Sequence, residues 1–359
     1  MLSHLRLRAA PTHIRAAPRP MNLKLSQFAG TAAGEALDRA VPPVPLYYND
    51  IYEVPLPQKH RFPMAKYRMV REKLQLEAAQ GALHVQFEPS PLATKEDLVT
   101  CHTDDYVSRY LNNQFTEKEN RRVGFPWSEA SVRRSLSSTG GTIVAARAVL
   151  NRPDVRFAGH IAGGTHHAFA DRGEGFCVFN DIAVAANVIL RDFHLVQRIL
   201  IIDLDVHQGN GSAVLFHGDP RVFTFSMHCA GNYFSKKEAS DCDVEIPTGA
   251  GDDEYLDILR NTLPKLFEAQ RPQLTFFQAG VDGHESDAFG RLKLSRKGLQ
   301  KRNRMTYEAA LAHDSPLVVT MGGGYPRDLN VESEAFLDVV EAHADVYRAC
   351  AACHSSIYN

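Results

Sequence analysis

The sequence lacks the features that mark several protein classes. Its 359 residues include one Trp and six Cys, and Lys and Arg number 40 against 42 Asp and Glu. The resulting net charge of −2 is without the basic excess typical of nucleic-acid-binding proteins. No uninterrupted apolar run reaches the roughly 18 residues of a transmembrane helix. With 44% hydrophobic and 23% charged residues, the composition is that of an ordinary globular protein, and we predict neither direct nucleic-acid binding nor a membrane span.

The six cysteines are scattered along the chain, which favours free thiols in a reducing compartment over a disulfide-bonded scaffold. Cys350, Cys353 and His354 form a C-x-x-C-H pattern of the kind that attaches c-type haem. The pattern lies so near the end of the chain that little sequence follows to enclose a haem. We therefore interpret it as a chance match and expect no haem.

The charges are uneven at the start of the chain. Residues 1–34 contain no Asp or Glu but carry Arg6, Arg8, Arg15, Arg19 and Lys24, which leaves 35 basic and 42 acidic residues for the remainder. An acid-free, arginine-bearing start is typical of an organellar transit peptide. We expect residues 1–44 to be a disordered tail that addresses the protein to a mitochondrion or chloroplast. The alternative is a tail without an address, on a protein of the nucleus or cytoplasm.

From residue 45 onward, helical patterns alternate with short buried apolar runs. The predicted helices cover residues 64–80, 94–111, 128–150, 180–191, 252–268, 296–313 and 332–347, and the predicted strands cover 157–162, 199–204, 222–226, 274–279 and 317–321. This alternation predicts a three-layer αβα fold with a mainly parallel central sheet. We expect one catalytic domain over residues 45–347 and a C-terminal tail over residues 348–359. Gly140-Gly141 predicts a break or close packing within the third helix.

Chemically capable residues follow four of the five strands. The segments are Gly163-Gly164-Thr165-His166-His167, Asp203-Leu204-Asp205-Val206-His207, Gly280-Val281-Asp282-Gly283-His284 and Gly322-Gly323-Gly324-Tyr325. In open α/β sheets, ligands bind at the carboxyl ends of the strands. The sequence therefore predicts that these segments meet in one site.

The spacing of Asp203, Asp205 and His207 places all three on one face of an extended segment. A carboxylate and an imidazole can begin a zinc site, and a catalytic zinc needs a third protein ligand. Asp282 is the best candidate for that ligand. Taken alone, the motif is also compatible with a capped strand end that has solvated carboxylates.

Other strand-end residues supply acid/base and oxyanion chemistry. His166 and His167 can accept and return a proton. The hydroxyl of Tyr325 can donate a hydrogen bond to a developing oxyanion. The three glycines before Tyr325 can also be read as a phosphate cradle, but they lack the Lys-Ser/Thr of a P-loop.

Together these residues resemble the histone deacetylase family of the arginase/deacetylase superfamily, and the details are most similar to class IV. The resemblance covers about residues 45–345, and its matching stretches are STGGT at 138–142, DRGEGFC at 171–177, IIDLDVHQGNG at 201–211 and DDEY at 252–255. Asn210 and Gln208 stand where many members have Asp and His, which is the class IV pattern. A neutral Asn210 would stabilise a protonated His167 less than Asp would.

The resemblance implies a role for each matching residue. His167 would act as general base and then acid, with His166 as its electrostatic partner and Asp203 orienting His166. Tyr325 would polarise the substrate carbonyl. The implied Zn²⁺ ligands are Asp205, His207 and Asp282. The implied K⁺ ligands are the backbone oxygens of Asp203, His207 and Met227 and the side chains of Asp205 and Ser226. Gly175 and Phe176 would line the acyl channel.

The implied activity is zinc-dependent removal of acetyl or longer acyl groups from lysine side chains of histones or other proteins. Three alternatives use the same residues: a deacetylase of polyamines or other small amines, an arginase-like hydrolase with two metals, and a non-catalytic binding module. The module is disfavoured because every zinc ligand and Tyr325 are present.

Overall fold

The computed structural model describes residues 41–232 and 236–358. Residues 1–40 of the predicted targeting tail lie outside the described residues, while Val44, at the end of the predicted tail, is the first residue of a buried strand. Among the helices that the structure describes, none is both long enough and apolar enough to cross a membrane.

The described chain folds around one eight-stranded sheet in which every strand pair is parallel. The strands are β1 Val44–Tyr48, β2 Val85–Pro89, β3 Phe157–Ile161, β4 Ile199–Asp203, β5 Val222–Cys229, β6 Cys242–Ile246, β7 Leu274–Gln278 and β8 Leu317–Thr320. They are arranged in the order β2-β1-β3-β8-β7-β4-β5-β6.

Helices cover both faces of this sheet. They are α1 Lys66–Ala79, α2 Lys95–Leu98, α3 Asp104–Leu111, α4 Glu117–Val123, α5 Glu129–Asn151, α6 Asp181–Asp192, α7 Asn210–Leu215, α8 Asp252–Gln270, α9 Arg296–Ala312 and α10 Glu334–Ser355. Successive β3 residues show the two layers, since Gly159 lies against Tyr347 of α10 while His160 contacts Thr142 of α5. Neighbouring residues of a strand point to opposite faces, so the predicted three-layer αβα fold is confirmed.

One predicted helix is divided in the structure, and of the two outcomes predicted for Gly140-Gly141 the structure has close packing. The helix expected over residues 94–111 is divided into α2 and α3, because the Thr103 side chain accepts a hydrogen bond from the Tyr106 backbone and starts a new helix. The Gly140-Gly141 pair does not break α5. A Cβ at Gly140 would overlap the Pro91 carbonyl, so the glycines serve close packing instead.

The chain from residue 348 to 355, expected to belong to a C-terminal tail, is instead the last part of α10. The prediction ended too early because the apolar spacing continues: Tyr347, Cys350, Ala351 and His354 form one buried helix face. The C-x-x-C-H segment thus lies within a packed helix.

The sheet order explains why the chemically capable segments meet. β3, β8, β7 and β4 are adjacent in the middle of the sheet and run in the same direction. Gln278 at the end of β7 lies opposite both Asp203 of β4 and Thr320 of β8. The four predicted segments therefore leave the sheet side by side at one edge.

Candidate active site

Asp205, His207 and Asp282 converge above the ends of β4 and β7. Their ligand atoms all lie within 4.8 Å of one another, and no other such His/Cys/Asp/Glu group occurs among the described residues. His207 Nδ1 lies 3.2 Å from Asp205 Oδ1 and 3.1 Å from Asp282 Oδ2. The sequence prediction that Asp282 joins the other two residues therefore agrees with the geometry.

Hydrogen bonds from backbone N–H groups and from one side-chain amide hold both carboxylates in place. Asp205 Oδ2 accepts hydrogen bonds from the Gly323 backbone at 2.9 Å and from Gln278 Nε2 at 3.0 Å. Asp282 Oδ1 accepts from the Val206 backbone at 2.9 Å. A Cβ at Gly323 would overlap the Asp282 carboxylate, so this close approach requires glycine. Gln278 was not expected from the sequence, because a buried strand residue gives no sign of a role in the site.

The chemistry of this donor set fits a divalent cation. Two buried carboxylates share a small volume, and burial with the charge of Asp205 raises the pKa of Asp282 to about 7. A cation among the three side chains would relieve this repulsion. Two carboxylate oxygens and one imidazole nitrogen are also a donor set that suits a catalytic Zn²⁺ with an open position.

The two histidines after β3 have different partners. Asp203 Oδ2 lies 2.6 Å from His166 Nδ1, and Asn210 Oδ1 lies 2.7 Å from His167 Nδ1. Each acceptor orients its ring by accepting a hydrogen bond from Nδ1–H, which leaves Nε2 as the reactive nitrogen. Asn210 is itself fixed, because its amide donates to Glu174 at 2.9 Å. Asp203 thus pairs with His166, as the family resemblance implies. The spacing argument, which placed Asp203 on one face with Asp205 and His207, did not foresee this partner.

The electrostatic surroundings shift the pKa values of the two histidines in opposite directions. Burial opposes protonation of His166, but Asp203 and Asp205 outweigh it and raise the pKa of His166 to about 9. Burial, together with the charges of His166 and His207, lowers the pKa of His167 well below its usual value. His167 is therefore the neutral member of the pair and can accept a proton.

Tyr325 is positioned by its own loop. Its backbone N–H donates to Asp287 Oδ2 at 2.7 Å, and its ring packs on Phe289 with centroids 4.8 Å apart. Burial and the nearby carboxylates of Asp205 and Asp282 raise the pKa of the phenol well above 10, so the hydroxyl remains a donor.

A buried lysine fixes the glycine segment that precedes Tyr325. Lys66 Nζ donates to the Gly324 carbonyl at 3.0 Å and to the Gly322 carbonyl at 3.4 Å. Burial lowers the pKa of Lys66 to about 8. The sequence pattern did not single out Lys66, since a lysine at the start of a helix is usually exposed.

An aromatic channel leads to these residues. Gly175 and Phe176, the predicted channel residues, both have positive φ angles, 58° and 66°, a strained conformation for Phe that turns its ring inward. The centroid of the Phe176 ring lies 5.1 Å from the ring centroid of Phe62 and 5.5 Å from that of Phe125. Phe62 and Phe125 were not predicted, because they lie in irregular segments far apart in sequence.

The channel opens into an outer cavity of about 640 Å³. The cavity wall includes four arginines with exposed side chains: Arg121, Arg122, Arg291 and Arg327. Among the described residues, only Arg121 of these four forms an ion pair, with Glu117. The mouth of the site is therefore positively charged.

A buried arginine, Arg302, fixes the backbone of the turns that carry the two carboxylates. Arg302 of α9 donates to the carbonyls of Ala279 at 3.0 Å, Gly280 at 2.6 Å and Leu204 at 3.2 Å. These carbonyls belong to the two turns that carry Asp205 and Asp282. Arg302 was missed because nothing in the α9 pattern separates it from the surface charges around it.

The predicted potassium ligands lie on neighbouring strands. Ser226 of β5 is opposite Asp203 of β4, and Met227 follows it. The Ser226 hydroxyl lies 3.0 Å from His228 Nδ1. The K⁺ site stays a prediction.

Comparison with known proteins gives a consistent result. Residues 60–341 match the model of the histone deacetylase domain. An uncharacterised protein of Picosynechococcus sp. is 42% identical over 85% of this chain and 97% of its own length. Histone deacetylase 2 of Arabidopsis thaliana is 30% identical over 79% of this chain and 75% of its own, and a probable deacetylase of Archaeoglobus fulgidus is 30% identical over 65% and 67%.

Proposed function

The chain belongs to the histone deacetylase family of the arginase/deacetylase superfamily, and on that premise we propose that it is a zinc-dependent hydrolase of acyl-lysine in proteins or peptides. The observation that carries the proposal is the meeting of Asp205, His207 and Asp282 with the His166-His167 pair at the inner end of an aromatic channel. Tyr325 lines the same cavity. This set can hold a cation, move a proton and stabilise an oxyanion.

Asp205, His207 and Asp282 would hold the metal. When bound, Zn²⁺ would polarise the acyl carbonyl and lower the pKa of a water. His167, held by Asn210 with Nε2 available, would accept the proton from that water. His166, whose Nδ1 is paired with Asp203, would act beside it as an electrostatic partner.

The amide bond would then break with help from the same groups. The Tyr325 hydroxyl would donate to the carbonyl oxygen as negative charge develops on it. His167 would return its proton to the departing lysine nitrogen, which would leave free lysine and a carboxylic acid. Burial of His167, Asp205 and Asp282 strengthens their interactions with the reacting atoms.

The charge of the mouth supports an acyl-lysine peptide over an acetylated polyamine. Arg122, Arg291 and Arg327 of the outer cavity would repel the free cationic amines of a polyamine. A peptide presents a single neutral acyl-lysine side chain to the channel, so it does not suffer this repulsion. We also propose class IV membership, since Asn210 rather than an acid holds His167.

A deacylation panel tests this function. Purified full-length protein, loaded with Zn²⁺, is assayed on acetyl-, butyryl- and myristoyl-lysine peptides and on acetylspermidine. We expect turnover of at least one acyl-lysine peptide, loss of that turnover with a chelator, and its return with added Zn²⁺. Turnover that survives complete metal removal, or turnover of acetylspermidine alone, would contradict the proposal.

Replacement of Tyr325 by Phe removes the oxyanion donor and leaves the ring in place. We expect kcat to fall about 10²- to 10³-fold, with an unchanged metal content because Tyr325 is not a ligand. Tyr307→Phe is the matched control, since Tyr307 is a buried tyrosine whose hydroxyl donates to Val346 in the core. Unchanged turnover in Tyr325→Phe would remove the residue from the mechanism.

A further inference from the structure

One face of α5 is unusual for a buried helix. Ser131, Arg134, Ser135 and Ser138 are spaced i, i+3, i+4 and i+7, where a core-facing helix normally carries apolar residues. All four line the inner cavity, together with His166, His167 and Tyr325. The polar face of α5 therefore forms part of the space next to the reacting groups.

Arg134 lacks an acidic partner among the described residues. Only 8% of it is exposed, and its Nη1 donates a long 3.4 Å hydrogen bond to Asn49 Oδ1. Its guanidinium lies over the Tyr67 ring, 4.1 Å from the centroid. None of the ion pairs between described residues includes Arg134, although the side chain is buried.

The carboxylate that lines the cavity is Asp205, which belongs to the Asp205, His207 and Asp282 group. A second carboxylate, Asp181, contacts the lining residues Gly164 and Thr165 and already has its donors. Asp181 accepts hydrogen bonds from the Thr165 backbone at 2.7 Å, the Gly164 backbone at 3.2 Å and the Thr142 hydroxyl at 2.6 Å. The Asp181 carboxylate is therefore occupied by hydrogen bonds from the Gly164–Thr165 turn and does not pair with Arg134. A buried guanidinium without a counter-charge is energetically costly, and its planar fork is suited to binding a carboxylate through two parallel hydrogen bonds.

We propose that Arg134 makes this site selective for acyl groups that end in a carboxylate, such as succinyl, on the lysine side chain. This inference rests on the proposed function and names its acyl class. The inner cavity has a volume of about 70 Å³, and a water-sized sphere takes about 10–15 Å³ of such volume. That space suits the two methylenes and carboxylate of a succinyl tail and excludes a fatty-acyl chain.

The kinetic test compares butyryl and succinyl, which have chains of equal length but differ in charge, with acetyl as a short reference. The Zn²⁺-loaded full-length protein is assayed on the same peptide carrying acetyl-, butyryl- or succinyl-lysine. We expect kcat/KM for succinyl to exceed that for butyryl about 10- to 100-fold, the value of a charged hydrogen bond. Arg134→Gln should remove this preference mainly through KM, and Arg134→Lys should restore part of it. Arg133→Gln is the matched control, since Arg133 neighbours Arg134 on α5 but is exposed.

A binding measurement separates substrate recognition from turnover. Calorimetry with N-butylsuccinamic acid and with N-butylbutyramide uses small mimics of the two acylated side chains. We expect the acid to bind more tightly than the neutral amide, and Arg134→Gln to weaken only the acid.

Two outcomes would overturn the inference: a wild-type enzyme that prefers butyryl, or an Arg134→Gln variant that loses activity equally on all three acyl groups. In both, acetyl-lysine turnover by the wild type would leave the proposed function standing. Absence of turnover on every acyl-lysine would refute the proposed function and the inference that rests on it.

Discussion

On the proposed mechanism, replacement of Asp282 by Asn will reduce deacylation at least about 10³-fold, because the variant loses one of the two negative charges that would hold the metal. Metal catalysis contributes several kcal/mol to the stabilisation of transition-state charge. Each increase of roughly 1.4 kcal/mol in the activation free energy lowers the rate tenfold. The amide oxygen of Asn can still accept the hydrogen bond from the Val206 backbone. The turn should therefore keep its shape while its affinity for a divalent cation falls.

Metal content and fold are measured alongside activity. Elemental analysis after dialysis should find the metal depleted in Asp282→Asn, while the circular dichroism spectrum stays that of the wild type. Asp219→Asn serves as the control, because Asp219 pairs with Arg221 away from the site. Full metal content and full activity in Asp282→Asn would exclude this residue as a ligand.

Replacement of His167 by Gln should lower kcat about 10²- to 10⁴-fold, the range for loss of a general acid/base. Gln fills much of the same space but cannot take up or release a proton. KM and metal content should change little, because His167 bonds Asn210 and is not one of the three ligand side chains. This pattern differs from that of Asp282→Asn, in which metal and activity are lost together.

The readout for His167→Gln includes chemical rescue. Added imidazole should restore part of kcat in this variant and none in Asp282→Asn, since a small base replaces a missing proton acceptor but not a missing metal ligand. His313→Gln is the control, because His313 lies on the surface at the end of α9. A wild-type kcat for His167→Gln would assign the proton transfer to another group.

The metal group was predictable from sequence because it depends on strand ends. Asp205 and Asp282 follow β4 and β7 directly, and adjacent parallel strands bring their carboxyl ends together without any further information. The same reasoning brought His167 and Tyr325 to the site. Spacing alone did not distinguish Asp203, whose side chain turns to His166, because the extended pattern does not continue through the bend after β4. The family resemblance was what assigned Asp203 to His166.

Residues from outside the strand ends could not be predicted in the same way. Phe62 and Phe125 reach the channel from irregular segments, and only tertiary packing brings their rings to 4.8 Å. Arg134 and Arg302 lie on helices, where the sequence does not distinguish a buried arginine from a solvated one. Three of the eight strands were missed: β1, β2 and β6. β2 and β6 have exposed or half-buried positions, so no continuous apolar run marks them. β1 is buried, but it contains Pro45 and follows a proline-rich segment, which does not indicate a strand.

The order of the strands also bears on when the site can form during synthesis. β3 pairs with β8, and Phe157 lies opposite Leu317 across 160 positions of sequence. α10, further along the chain, then packs against β3, where the Tyr347 hydroxyl donates to the His160 carbonyl at 2.6 Å. Such long-range pairings form slowly, and a chain still emerging from the ribosome lacks the partners that complete them. The histidines after β3 are therefore fixed in place only after β8 and α10 have been synthesised.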